Sequence, residues 1–184
     1  MRADAEQCRL IARDRIRRGR LPSRVQLIRS DIRALPFPSS TFPLVMAPYG
    51  VLQSLLRERD LVATLAAVAR VLKPRATFGI ELVADLPSWN EYRKRVSLSG
   101  WRGGRRGSHL TLVETVRQDR ARRMTIFDQQ FIERREARRR THAFSLTFRT
   151  LSVPQMTRRL EKAGFEISAL LGDYRGGPWD PRAD

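Results

Sequence analysis

Few side chains in this 184-residue sequence stand at spacings that support familiar side-chain chemistry. His109 and His142 have no cysteine and no second histidine at metal-ligand spacing, so each reads as a structural or surface residue and no metal is expected. Cys8 is the only cysteine, which excludes an internal disulfide and any multi-cysteine zinc site. It reads as a small buried residue on a helix. There is no G-x-S-x-G elbow and no G-x-x-x-x-G-K loop, so acyl transfer by a serine and P-loop hydrolysis have no local support. Gly103, Gly104 and Gly107 have neither a strand before them nor a helix after them and read as a loop. Charge is the other chemical feature. The formal net charge is +17, and all but Lys73, Lys94 and Lys162 of the 36 basic residues are arginine. Arginines clustered on one face would displace counterions from phosphates. Here they run through nearly every segment, with two concentrations at Arg102–Arg106 and Arg134–Arg140. Each of these reads as a solvated turn or as an anionic contact.

The elements that would position any site follow from hydrophobic spacing. Ala5, Cys8, Ala12 and Ile16 recur at helical steps and Gly19 follows, so an amphipathic helix is predicted over 5–18. Val25–Ile28 is a short apolar run suited to a buried strand. Ser30–Pro38 is a loop, because two prolines within three residues continue neither a helix nor a central strand. Leu44–Ala47 reads as a second strand, closed by the turn Pro48-Tyr49-Gly50. Leu61, Leu65, Val68 and Leu72 mark a helix over 60–72, stopped by Pro74. Thr77–Val83 reads as a third buried strand, and strands apolar on both faces that alternate with helices imply a mainly parallel sheet covered on both sides. Residues 89–106, rich in Gly, Ser and Arg, read as a linker. Period-two alternation then predicts three strands of an antiparallel meander with one buried face, through Leu110–Val116, Thr125–Phe131 and Phe144–Phe148, with turns at 119–123 and 135–140. Ser152 and Gln155 have capping-box spacing ahead of a helix that ends at Gly164, and Phe165–Leu171 reads as a last strand.

The length suits one domain. It divides into an α/β core over 1–83, a loop and antiparallel β insertion over 84–150, and a helix and strand returning to the core over 151–184. No run approaches the roughly 18 apolar residues that span a bilayer, and the N-terminus is charged, so a soluble, cytoplasmic protein without a membrane partner is expected.

Four features in order resemble the class I S-adenosylmethionine-dependent methyltransferases of the small-molecule group. Ser30-Asp31-Ile32-Arg33-Ala34-Leu35-Pro36-Phe37 is similar to the acidic residue and "aLPF" loop that end the family's third strand. Ser40–Val45 resembles its "gsFDlV" approach to the fourth strand, followed by the donor-facing turn Pro48–Gln53. Ala69–Pro74 resembles the "v.rvLkPGG" helix end, and Leu160–Ile167 the "L..aGF.v" element. Pro43 stands where the family has aspartate, and Arg75-Ala76 where it has Gly-Gly, a turn that takes positive φ.

The resemblance implies an α/β fold: a partial class I methyltransferase, Rossmann-like, with a mainly parallel sheet and an antiparallel β-meander insertion. It implies S-adenosyl-L-methionine as co-substrate and an unidentified small-molecule methyl acceptor. The Asp31 carboxylate would accept the adenine amine, the Ile32 N–H would serve the ring, and Ala47 would complete the donor set. Tyr49, Gln53, Glu81 and Asp85 are the substrate-pocket candidates, with Tyr174 a further one. The family's E/D-x-G-x-G loop is absent, and only strands 3, 4, 5 and 6 of the order 3-2-1-4-5-7-6 are recovered, so a truncated and marginally stable chain is expected. Asp4 lies near the place of the ribose-binding carboxylate, but no strand precedes it. A basic nucleic-acid-binding module and a degenerate pseudo-methyltransferase are the alternatives.

Overall fold

A computed structural model of the chain describes residue 16 and residues 25–83, 89–102 and 107–180. Strand β1 (Phe42–Ala47) is followed by a 3-10 turn (Val51–Ser54), helix α1 (Glu58–Val71) and strand β2 (Leu72–Ile80). Four long strands come next: β3 (Tyr92–Arg102), β4 (Ser108–Asp119), β5 (Met124–Arg135) and β6 (Arg138–Arg149). Helix α2 (Val153–Lys162) completes the order. β1 and β2 pair in parallel, and β3-β4-β5-β6 form an antiparallel meander in sequence order. Among the described residues no helix is long and apolar enough to cross a membrane.

Helix α1 forms where the apolar spacing predicts it. Leu61, Leu65, Val68 and Val71 are buried, and Glu58 and Asp60 sit in the first turn, where the helix dipole favours negative charge. This face packs with Ala47, Leu52, Leu151, Met156 and Leu160, so α1 and α2 close over one side of the parallel pair. The α2 termini also match their sequence signals. Ser152 and Gln155 make a reciprocal capping box. At the other end, Gly164 takes φ 87°, its N–H donating to Glu161 while the Phe165 N–H donates to the Leu160 carbonyl.

Strand β2 begins five residues before the predicted start. It follows α1 without a break and pairs Leu72 with Phe42, then shifts register before Thr77 meets Leu44. Lys73–Ala76 bulge out of the ladder, so Pro74 is tolerated within the strand. Arg75 adopts φ 62°, the positive φ that the family's Gly-Gly would provide. A left-handed L-residue costs about 1–2 kcal/mol, more than the roughly 0.5–1 kcal/mol that glycine loses in chain entropy. Arg75→Gly is therefore expected to stabilise the fold by up to about 1 kcal/mol, read as a higher urea midpoint at unchanged slope.

Several expectations are corrected. Val25–Ile28 is not a strand: no described strand lies beside it, and Val25 and Ile28 are exposed. Phe165–Leu171 is likewise without a ladder and makes only an isolated bridge from Leu171 to Pro178. The linker expected at 89–106 is instead mostly strand β3, and the meander has four strands. Pairing along β4, from Tyr92 opposite Val116 to Arg102 opposite Ser108, outweighs the poor strand propensity of its Gly, Ser and Arg residues. The second turn is only Glu136-Ala137, with Arg138–Arg140 inside β6. Among the described residues, the apolar face of the meander is covered at one end, where Val116 and Phe127 pack with Val83, Tyr92 and Phe148. The helix expected over 5–18 lies outside the described residues except for helical Ile16.

Candidate functional site

Parallel strands place their C-terminal ends side by side, and the crevice beyond those ends is where open α/β sheets bind ligands. Here Ala47 lies opposite Ile80, and the Glu81 N–H donates to the Ala47 carbonyl at 3.1 Å. The chain leaving β1 turns through two consecutive left-handed residues, Tyr49 at φ 56° and Gly50 at φ 61°. Positive φ is unusual for a tyrosine and is held only where the surroundings enforce it. The enforcing contact is Glu81, whose Oε2 accepts the Tyr49 N–H at 2.9 Å. The Glu81 carboxylate also raises the nearby Tyr174 phenol above its ordinary pKa, with desolvation and Tyr49 adding to the effect. Both tyrosine side chains remain open, Tyr49 at 82% and Tyr174 at 90% exposure. One carboxylate thus holds the Tyr49 backbone at the strand ends, near the exposed Tyr174.

Gln53 lies behind this group and is fully buried. Its Nε2 donates to the Val83 carbonyl at 3.0 Å and the Arg149 carbonyl at 3.2 Å, and its Oε1 accepts the Val83 N–H at 2.8 Å. The amide is occupied with backbone, so Gln53 fastens the exit of β2 to the end of β6. Gly50 leaves room for it: a Cβ there would lie 2.9 Å from Gln53 Oε1. Asp85 lies outside the described residues.

The loop carrying Asp31 and Ile32 is tied to both ends of α1. Arg33 Nη1 donates to Asp60 Oδ1 at 2.8 Å in the first helical turn. At the other end, Arg70 donates to the carbonyls of Leu35 and Phe37, each at 2.6 Å. Arg33 also forks onto Asp31, with Nη2 to Oδ2 at 2.6 Å and Nε to Oδ1 at 3.0 Å, and its own N–H donates to Oδ1 at 2.9 Å. These bonds hold the Asp31 carboxyl at a pKa of about 2, so it is ionised at neutral pH. Among the described residues nothing accepts the Ile32 N–H. The loop therefore offers a fixed anion beside a free donor, a pair suited to a planar heterocycle with an amine next to a ring nitrogen. Arg33 and Arg70, the residues that fix this loop, were not among the sequence candidates; Arg33 stands two residues from the acid it binds, which is the one local signal.

A third anchor joins the sheet to the helices. Glu58 accepts Arg149 at 2.7 Å and Arg159 at 2.8 Å, linking α1, β6 and α2.

The sequence matches the methyltransferase-domain family over residues 4–75. None of the curated proteins matches the chain. Solved structures share its fold at low identity. A S-adenosylmethionine-dependent methyltransferase from Clostridium acetobutylicum is 14% identical with a TM-score of 0.71, over 92% of this chain and 65% of that one. The sugar N-methyltransferase KedS8 from Streptoalloteichus is 14% identical with a TM-score of 0.69, over 86% of this chain and 62% of that one. CalS10 from Micromonospora echinaspora, an amino pentose methyltransferase solved with S-adenosylmethionine bound, is 20% identical with a TM-score of 0.59, over 86% and 64%. The chain thus spans less than two thirds of the length of these relatives.

Proposed function

Taking the class I S-adenosylmethionine-dependent methyltransferase fold as the premise, we propose that this chain carries the adenine-binding and acceptor-binding parts of a small-molecule methyltransferase. The acceptor is read as an amine-bearing molecule of sugar size. The observation that carries this reading is Glu81, a carboxylate at the parallel-strand ends that holds the left-handed Tyr49 and lies near the Tyr174 phenol.

When bound, the donor supplies an electrophilic methyl group on a sulfonium. The residues of this chain then orient, desolvate and receive a proton. Asp31 would accept the adenine amine and the Ile32 N–H would donate to the ring, with Ala47 beneath. An acceptor ammonium would be drawn to Glu81 and to the faces of Tyr49 and Tyr174, since a cation beside a carboxylate and aromatic rings is favoured by both. Loss of one proton to Glu81 or water frees the nitrogen lone pair. Attack forms the carbon–nitrogen bond as the carbon–sulfur electrons return to sulfur, and positioning supplies most of the rate. Two relatives by fold, a sugar N-methyltransferase and an amino pentose methyltransferase, support the choice of acceptor.

Calorimetric titration with S-adenosylmethionine tests the donor half. The unmodified chain is expected to give saturable heat, and Asp31→Ala to weaken affinity by about tenfold or more, the size of a lost charge-assisted hydrogen bond. No heat from the unmodified chain would sink the donor assignment. Equal affinity in Asp31→Ala would move the adenine away from this loop.

A further inference from the structure

The far end of the meander carries a charge arrangement that folding alone does not favour. Register places Arg134 opposite Arg139 and Arg135 opposite Arg138. Like charges directly across an antiparallel pair repel. These four side chains and Arg140 are exposed. None of the five forms an ion pair with a carboxylate among the described residues. Glu133 and Glu136 are the only acids in this stretch. Among the described residues Glu133, opposite Arg140, is the one acid facing this cluster across the ladder, and the Arg134–Arg139 and Arg135–Arg138 pairs have none. A local rule broken this plainly marks a place where the compensating charge comes from outside.

The neighbouring strands narrow the chemistry of that partner. Trp101 pairs with His109, His109 with Arg134 and Arg134 with Arg139, so the four stand in one row across one face of the sheet. With strands about 4.8 Å apart, the row is about 14 Å wide. Trp101 is 72% exposed, and its ring meets His109 edge-on at 5.3 Å. An open indole beside unpaired guanidinium groups suits a ligand that has both flat faces and repeated negative charge. A second copy of the chain would bring the same positive charge and be repelled. A strand of 12 residues at about 3.3 Å each separates this end from Arg149 by about 35 Å, so the surface is distinct from the crevice at Glu81.

We propose that the Trp101–His109–Arg134–Arg139 row binds single-stranded nucleic acid through its phosphates and by stacking of a base on Trp101. The phosphates relieve the arginine repulsion, and the indole accepts any base because every base has a π-face.

Fluorescence anisotropy of the full chain with a labelled oligouridylate of about 16 nucleotides tests this. Binding should weaken as salt rises. Arg139→Glu should reduce affinity about tenfold or more and lower the magnitude of the salt slope by about one. The same substitution places a carboxylate opposite Arg134, so the thermal midpoint without ligand should rise. A purely structural role for Arg139 would not lower affinity while raising stability. Trp101→Ala should cost about tenfold at an unchanged salt slope. The remote exposed pair Arg120→Ser with Arg158→Ser should leave affinity within about twofold, because neither residue touches the row. If the remote pair weakens binding as much as Arg139→Glu, the attraction is diffuse net charge and the proposal fails. Equal affinity for polyglutamate, with Trp101→Ala silent, would assign the surface to an acidic protein and overturn it as well.

Discussion

Replacing Gln53 with leucine should lower the stability of the fold by about 3 kcal/mol, a large part of the roughly 5–15 kcal/mol that holds a typical domain together. The side chain is 0% exposed, and its amide satisfies the Val83 N–H, the Val83 carbonyl and the Arg149 carbonyl. Leucine fills similar space but meets none of them. Each buried polar group left unpaired costs about 1–3 kcal/mol, and partial exposure of Val83 lets some of its share return to water. With a urea slope near 2 kcal/mol/M, the midpoint should fall by about 1.5 M. A fall equivalent to less than about 1 kcal/mol would mean that the clamp contributes little, because it would be no more than one ordinary hydrogen bond.

Glu81→Gln should lower kcat/KM toward an amino-sugar acceptor by about ten- to a hundredfold, while leaving stability and donor affinity close to those of the parent. The amide oxygen can still accept the Tyr49 N–H, so the left-handed turn is kept. What is lost is the negative charge, worth about 1.5–3 kcal/mol in a hydrogen bond to a cation. The matched acceptor bearing a hydroxyl in place of the amine separates the two halves of the claim. Its turnover, where measurable, should be nearly indifferent to the substitution. A kcat/KM for the amine unchanged within about twofold would place acceptor recognition elsewhere, because even the weakest charge-assisted bond would exceed that loss.

Elements governed by nearby residues were legible in the sequence. The spacing of Leu61, Leu65 and Val68 specified α1, Ser152 and Gln155 specified where α2 begins, and Gly164 where it ends. Features that depend on distant partners were not. Residues 92–102 have a linker's composition and become a strand only because β4 lies beside them. Val25–Ile28 has a strand's composition and makes no ladder, because no described strand runs alongside. Among the candidate site residues, Asp31 and Ile32 were named from the loop that contains them, and Tyr49, Glu81 and Tyr174 were each named singly. Their convergence was not legible, since 32 residues separate Glu81 from Tyr49. Gln53 was read as facing a pocket; its buried partners lie 30 and 96 residues away, beyond any local pattern.

The anchors between the meander and the helices have a consequence in time. Successive strands of the sheet are joined by hairpins, so their pairing is local and fast. By contrast, Gln53 to Arg149 closes 96 residues, Arg149 to Glu58 closes 91, and Arg159 to Glu58 closes 101. Contacts of that span form after the hairpins, when a preformed sheet docks on the helices. Weakening them should therefore leave the folding rate nearly unchanged and speed the release of the sheet. The joint between the sheet and the helices should thus close late in folding and be the first to open.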